Sequence, residues 1–195
     1  MRGGTIFVDV SRNVKGVLFA DYVRMMRGKK DVDWADFVPR SDLFYLRNKV
    51  ALDEWYPMET FERFGNAILS QIAGGRVAAV RLWGQLSVEQ VCADNPSLVA
   101  AGDPADTMMR FRVQRATFFD FDALEIVALA PGRAEIVIHY HMGKCAEEAA
   151  SFQTMGFFER LLEVAGATEV SARFVERSWA DDPRTLLVID WSEPL

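Results

Sequence analysis

Two histidines, His139 and His141, stand two residues apart in a β-rich run, a spacing that turns both imidazoles to one face of an extended strand. Such a pair could serve a transition metal, but a tetrahedral site needs further protein ligands. Glu135 on the same face is four residues from His139, too far along a strand to join easily. The pair therefore reads as polar surface, and no metal site is expected. Cys145 follows Lys144 at the start of a long helical segment, a position that can activate a thiol when a base is also positioned. No such base is identifiable, so Cys145 reads as a buried or half-buried structural cysteine. Neither a G-x-S-x-G, a Walker loop nor a G-x-G-x-x-G occurs, and the pairs Gly3-Gly4 and Gly74-Gly75 read as turns. The 28 acidic residues form no pattern that pairs two of them for acid–base work. An enzyme is not expected.

The 195 residues, half of them hydrophobic and 26% charged, suit one globular domain with a full core and no need of a metal or disulfide staple. A single domain over residues 1–195 is expected, with a mainly helical part to residue 120 and a β-β-α-β-β part from 121. Net charge is −6. The densest basic run, Arg27, Lys29 and Lys30, is followed at once by Asp31 and Asp33, which argues against a nucleic-acid footprint. Cys92 and Cys145 are far apart and lack C-x-x-C spacing, as befits free thiols in a reducing compartment. The apolar run Thr5-Ile6-Phe7-Val8 is broken by Asp9 and Arg12, too short for a secretory signal, and nothing approaches the ~20 apolar residues of a membrane span. A cytoplasmic protein is expected.

Behind these residues the hydrophobic period changes near residue 121. Val17, Leu18, Tyr22, Met25 and Met26 recur at helical spacing, with Gly28 as the C′ residue. Trp34, Phe37 and Val38 make a short turn before Pro39, and Ser41 is the expected N-cap of a second short helix. Trp55-Tyr56-Pro57-Met58-Glu59 predicts a helix start with proline first, continued by Phe61, Phe64, Ile68, Leu69 and Ile72. A further helix over 76–93 contains Gly84, a hint of close packing against another element. Asp103 caps a helix running from Pro104 towards Thr117. Strand alternation then predicts a hairpin of 124–130 with 134–142, in which Ile136, Ile138, Tyr140 and Met142 face the core. A helix over 147–165 follows, and then a second hairpin of 169–179 with 185–191. The fold class is α+β, with the helical half packed on a four-stranded antiparallel sheet.

Aromatic and methionine side chains are concentrated in the helical half. They can fill a core or line an apolar pocket between helices and sheet.

The segment Ile136-Val-Ile-His-Tyr140-His-Met142-Gly-Lys144, the following helix ending Leu161-Leu-Glu-Val-Ala-Gly166, and Trp55-Tyr-Pro57 leading into a helix resemble the haem nitric-oxide/oxygen binding (H-NOX) domains. Lys15-Gly16-Val-Leu-Phe, Trp83-Gly84 and the closing Ile189-Asp-Trp191 resemble, more narrowly, a family of paralogous myxobacterial proteins within the fold group that holds H-NOX, 4-vinyl-reductase and TRAPP-type domains. The resemblance implies a haem held by a helical histidine, with its propionates gripped by a Y-x-S-x-R motif. Here Tyr140 fits, but Met142 replaces the serine and Lys144 the arginine, a point charge in place of a bidentate fork. No histidine lies between Asp94 and Asp122. A haem-free variant is therefore expected: a small-molecule sensor holding an apolar ligand near Tyr22, Phe61, Trp83, Tyr140, Met142 and Lys144. The alternative is an interaction module with a filled core that pairs with a partner protein or with itself.

Overall fold

A computed structural model describes residues 12–193 of the chain; the Gly3-Gly4 turn and the Thr5–Val8 run lie outside them. In chain order the elements are β1 (Asn13–Lys15), α1 (Gly16–Gly28), a 3-10 turn (Trp34–Asp36), α2 (Leu43–Arg47), β2 (Trp55–Pro57), α3 (Met58–Gln71), α4 (Val77–Asp94) and α5 (Pro104–Gln114). After a 3-10 turn at Arg115–Thr117 come β3 (Leu124–Ala130), β4 (Arg133–Ile138), α6 (Lys144–Val164), β5 (Thr168–Glu176), a 3-10 turn (Ser178–Ala180) and β6 (Thr185–Ser192). The expected α+β class is observed, and β3 to β6 form one antiparallel sheet in the order β3-β4-β6-β5.

Helix ends follow their local chemistry with some displacement. Asp103 caps α5 as expected, accepting from the Asp106 N–H at 2.8 Å. At α2 the N-cap is Asp42 rather than Ser41. The Asp42 carboxylate is turned inward to Arg63 and Thr60 of α3, an ion pair that outweighs a local cap. Pro57 stands one place before α3 rather than at its first position, because Trp55–Pro57 pairs as a strand with Asn13–Lys15. That pairing joins residues about 40 apart, and single-strand alternation gives no sign of it. Gly28 is the last residue of α1 rather than the residue beyond it.

The first hairpin is shorter than its alternation suggests. β4 stops at Ile138, opposite Thr185 at the start of β6. Beyond it Arg12 donates to the carbonyl oxygens of Tyr140 and His141, and His141 takes a left-handed backbone with φ 55°. Those groups cannot also join a ladder. Likewise β5 ends at Glu176, and Trp179 sits in a 3-10 turn. The helix α6 begins at Lys144, three residues earlier than expected, with its first-turn Ala146 and Glu147 buried.

One face of the sheet carries Ile136, Ile138, Leu187 and Ile189 into the main core with Phe19, Phe64, Met108 and Phe158. The other face is not purely polar. Val137, Leu186 and Val188 are buried there, beside Arg133, Arg173 and Arg184, whose partners are Glu135, Asp190 and Glu176. Arginine stems cover apolar surface while their guanidinium groups stay in water.

The helix pair α4/α6 joins the helical half to the sheet half. An ideal Cβ at Gly84 would lie 1.9 Å from the Gln153 carbonyl oxygen, and one at Gly156 would lie 2.0 Å from that of Arg81. The two backbones therefore touch, with glycine Cα hydrogens directed at carbonyl oxygens of the other helix. One turn along, Arg81 makes a two-pronged pair with the buried Glu159 carboxylate. Gly84→Ala gains helix propensity of about 1 kcal/mol but forces backbone apart. The expected net loss of unfolding free energy is about 1–3 kcal/mol, measured by urea denaturation; a value within error of wild type would show that the helices do not touch at this point.

Candidate functional site

Around that crossing a cleft opens between the helices and the sheet. Its wall is aromatic: Tyr22 of α1, Phe61 of α3, Phe111 of α5, Phe118 and Phe119 before β3, and Phe157 of α6. Counted out to the solvent at its mouth it spans about 690 Å³, of which about 80 Å³ admits the centre of a water molecule. The α6 residues that reach it, Ala150, Gln153, Thr154 and Phe157, recur at three- and four-residue steps, so one stripe of the helix forms one wall.

Two phenols enter the cleft. Tyr22 stacks on Phe61, ring centres 4.1 Å apart, and its hydroxyl donates to Gln153 Oε1 at 2.6 Å. Tyr140 leans on Phe119, with its hydroxyl 2.6 Å from Thr154 Oγ1. Thr154 in turn donates to the Ala150 carbonyl at 2.9 Å, so its single proton is committed and Tyr140 is the donor of the pair. Burial, more than any neighbour, pushes both phenols well above their ordinary pKa; they stay protonated. Asp21 lines the same cleft. Burial raises its carboxyl, opposed by Arg24, which donates to it at 2.8 Å.

Of the residues expected to line a pocket, Tyr22, Phe61 and Tyr140 meet in this cleft. Trp83 and Met142 do not; they line a smaller adjoining hollow of about 20 Å³ on the far side of Tyr22 and Phe61. Lys144 lies outside both and pairs with Asp181 at 2.5 Å on the surface. It borders instead a shallow groove with His139, His141 and Glu147, because the turn after Tyr140 carries the chain away from the cleft. Asp21, Gln153 and Thr154 escaped sequence reading. They sit on helices whose apolar residues dominate the pattern, and only the placement of α6 against α1 and β4 shows that they face one space.

The loop 139–143 is held by three charged side chains from three elements. Arg12 takes the carbonyls of Tyr140 and His141, Glu147 Oε2 accepts from the Met142 N–H at 2.9 Å, and Glu62 Oε1 accepts from the Gly143 N–H at 2.9 Å. Burial raises the Glu147 carboxyl against the lowering effect of its backbone hydrogen bonds with Met142 and Tyr140. The imidazoles of His139 and His141 stack with centres 5.8 Å apart. Among the described residues no group of three metal-ligating side chains could hold an ion. Cys145 is exposed, not buried: it occupies the outer side of the first turn of α6, whose inner side is filled by Ala146 and Glu147.

No family model matches the chain, and no curated protein does. Solved structures do. An H-NOX domain of T. tengcongensis, a point mutant, superposes with TM-score 0.59 at 15% identity, covering 93% of this chain and 99% of that one. A triple mutant of the H-NOX protein from S. oneidensis in the Fe(II) ligation state gives 0.62 at 8% identity, with coverage of 93% and 97%. An oxygen-binding H-NOX domain related to soluble guanylate cyclases, in its oxygen complex, gives 0.60 at 15% identity, with coverage of 92% and 96%. The chain has the H-NOX fold.

The cleft residues fit haem poorly. Among the described lining residues none is a histidine, cysteine or methionine, the usual axial donors, and the two candidate phenols are protonated and engaged. The amides of Met142 and Gly143 are bound to the protein's own carboxylates rather than free for another anion.

Tyr140→Phe leaves Thr154 Oγ1 without its buried donor and should cost about 1–2 kcal/mol, read from chemical denaturation; no loss would mean that the hydroxyl is solvated. A pH effect follows from His141, whose pKa is lowered by burial, then by Arg12 and His139. Arg12, His139, Lys144, Glu147 and Arg184 are the charged or titratable groups around it. The unfolded chain then binds more protons, so this residue's contribution to stability is present above the ordinary imidazole value of 6.5 and is lost as the pH falls through the lowered one. Glu147, raised by burial, acts in the opposite sense. The expected result is a stability–pH slope between pH about 5 and about 7 that is shallower in His141→Gln than in wild type; equal slopes would refute the assignment.

Proposed function

We propose that this domain is a haem-free sensor that holds a small molecule in the aromatic cleft and reports occupancy through its surface, within the H-NOX-like fold group and most narrowly its myxobacterial paralogous branch. The observation that carries this reading is the position of the cleft. It lies where α1, α3, α4 and α5 of the helical half meet the start of β3, the loop after β4 and α6, so a ligand there touches both halves and can alter how they pack. Its aromatic lining suits an organic guest, while the donor set and the capped 139–143 loop disfavour haem. The free thiols and the lack, among the described residues, of a helix long and apolar enough to cross a membrane are compatible with a cytoplasmic location. No catalytic constellation supports an enzyme.

A second reading, an interaction module, is favoured by Leu82 and Leu86, which stand 52% and 65% exposed one turn apart on α4. The two readings are compatible if that helix face transmits the state of the cleft, since Ser87 and Val91 of the same helix line it.

Purification followed by visible absorption and mass spectrometry under non-denaturing conditions tests the reading. The expected outcome is no Soret band and a retained small molecule that is absent from Ala150→Leu, a change that fills the cleft. A Soret band, or a retained molecule indifferent to Ala150→Leu, would overturn it.

A further inference from the structure

The hydroxyl groups in the cleft all spend their protons on the protein. Tyr22 donates to Gln153 Oε1, Tyr140 to Thr154, Thr154 to the Ala150 carbonyl, and Ser87 to the Gly84 carbonyl at 2.8 Å. What the oxygens still offer an occupant is lone pairs. Among the described lining residues one, Asp21, is ionisable as a carboxylate and none is basic. Arg24 pairs with Asp21 at 2.8 Å from the solvent side, its side chain 72% exposed, so a cation in the cleft shares or displaces a partner that can turn out into water. Around this acceptor set stand the rings of Tyr22, Phe61, Phe111, Phe118 and Phe119, and aromatic π clouds attract cations.

Resting on the reading of the cleft as a ligand site, we propose that its ligand is an organic cation, a protonated amine on a small apolar or aromatic body, with Asp21 as its counter-ion. The ammonium donates to the Asp21 carboxylate and to the remaining lone pairs of the phenols, and the body lies among the rings. An anion meets the Asp21 carboxylate and, among the described lining residues, no basic side chain, with the neutral Gln153 amide as its donor. A neutral analogue of the same shape keeps the ring contacts and forfeits the ion pair. The preference is thus for charge, superposed on a shape that all three share.

A matched series separates these contributions: benzylamine, benzyl alcohol and benzoate, titrated at neutral pH into the full chain by calorimetry or ligand-detected NMR. Benzylamine should bind roughly tenfold more tightly than benzyl alcohol, with benzoate weakest. Asp21→Asn should remove that advantage and leave benzyl alcohol unchanged, and Ala150→Leu should abolish binding of both. If benzyl alcohol or benzoate binds as well as benzylamine, or if Asp21→Asn keeps the preference, the cation assignment falls while the cleft remains a ligand site. Benzylamine binding that survives Ala150→Leu lies elsewhere and also overturns it. If none of the three binds, the reading of the cleft as a ligand site fails and the assignment fails with it.

Discussion

The close crossing of α4 and α6 is the constraint on which the other contacts depend. Two glycines, Gly84 and Gly156, let each backbone meet a carbonyl of the other, and the buried Glu159 carboxylate requires Arg81 beside it. A buried carboxylate without its partner is strongly destabilising, so the pair sets the register in which the glycines can meet. Because α6 also packs on the sheet and reaches α3 and α5, the crossing sets the distance between the two halves of the molecule. Ser87 and Val91 on one helix and Gln153, Thr154 and Phe157 on the other face the cleft only because the axes cross at this point.

The cleft is narrow because its polar atoms are tied across it. Tyr22 of α1 is bound to α6 through Gln153, and Tyr140 from the loop after β4 is bound to α6 through Thr154. The Tyr140 tie is buried and the Tyr22 tie part-buried, and such bonds cost more to leave unmade than they contribute when made. A guest that replaces such a tie therefore loosens one half from the other, and a guest that leaves it intact does not.

Sharing a fold with H-NOX domains at 8–15% identity leaves the site free to differ. At the loop 139–143, the protein's own Glu62 and Glu147 occupy the amide donors, and Lys144 is drawn to Asp181 on the surface. The helix–sheet core depends on shape and apolar area. The cleft depends on which individual polar atoms have partners.

Much of the architecture was legible in the residues alone. Helical spacing up to residue 120 and alternation after it reflect side chains that must reach one core from elements of different period, and Asp103-Pro104 and Gly74-Gly75 mark their ends for local reasons. Gly84 signalled a close approach. Tyr22, Phe61 and Tyr140 were recognisable as large side chains suited to a pocket. The sequence could not settle whether they enclosed one, because that depends on partners about 130 residues away: Gln153 for Tyr22, and Arg12 for the loop bearing Tyr140. Partners distant in sequence likewise explain why β4 ends early and why Trp55–Pro57 becomes a strand, and the path of the folded chain places Trp83, Met142 and Lys144 outside the cleft. Local spacing determined which elements form and which faces are apolar. Tertiary structure alone decided which polar atoms share a space, because electrostatic and hydrogen-bond partners are chosen by proximity in the folded chain.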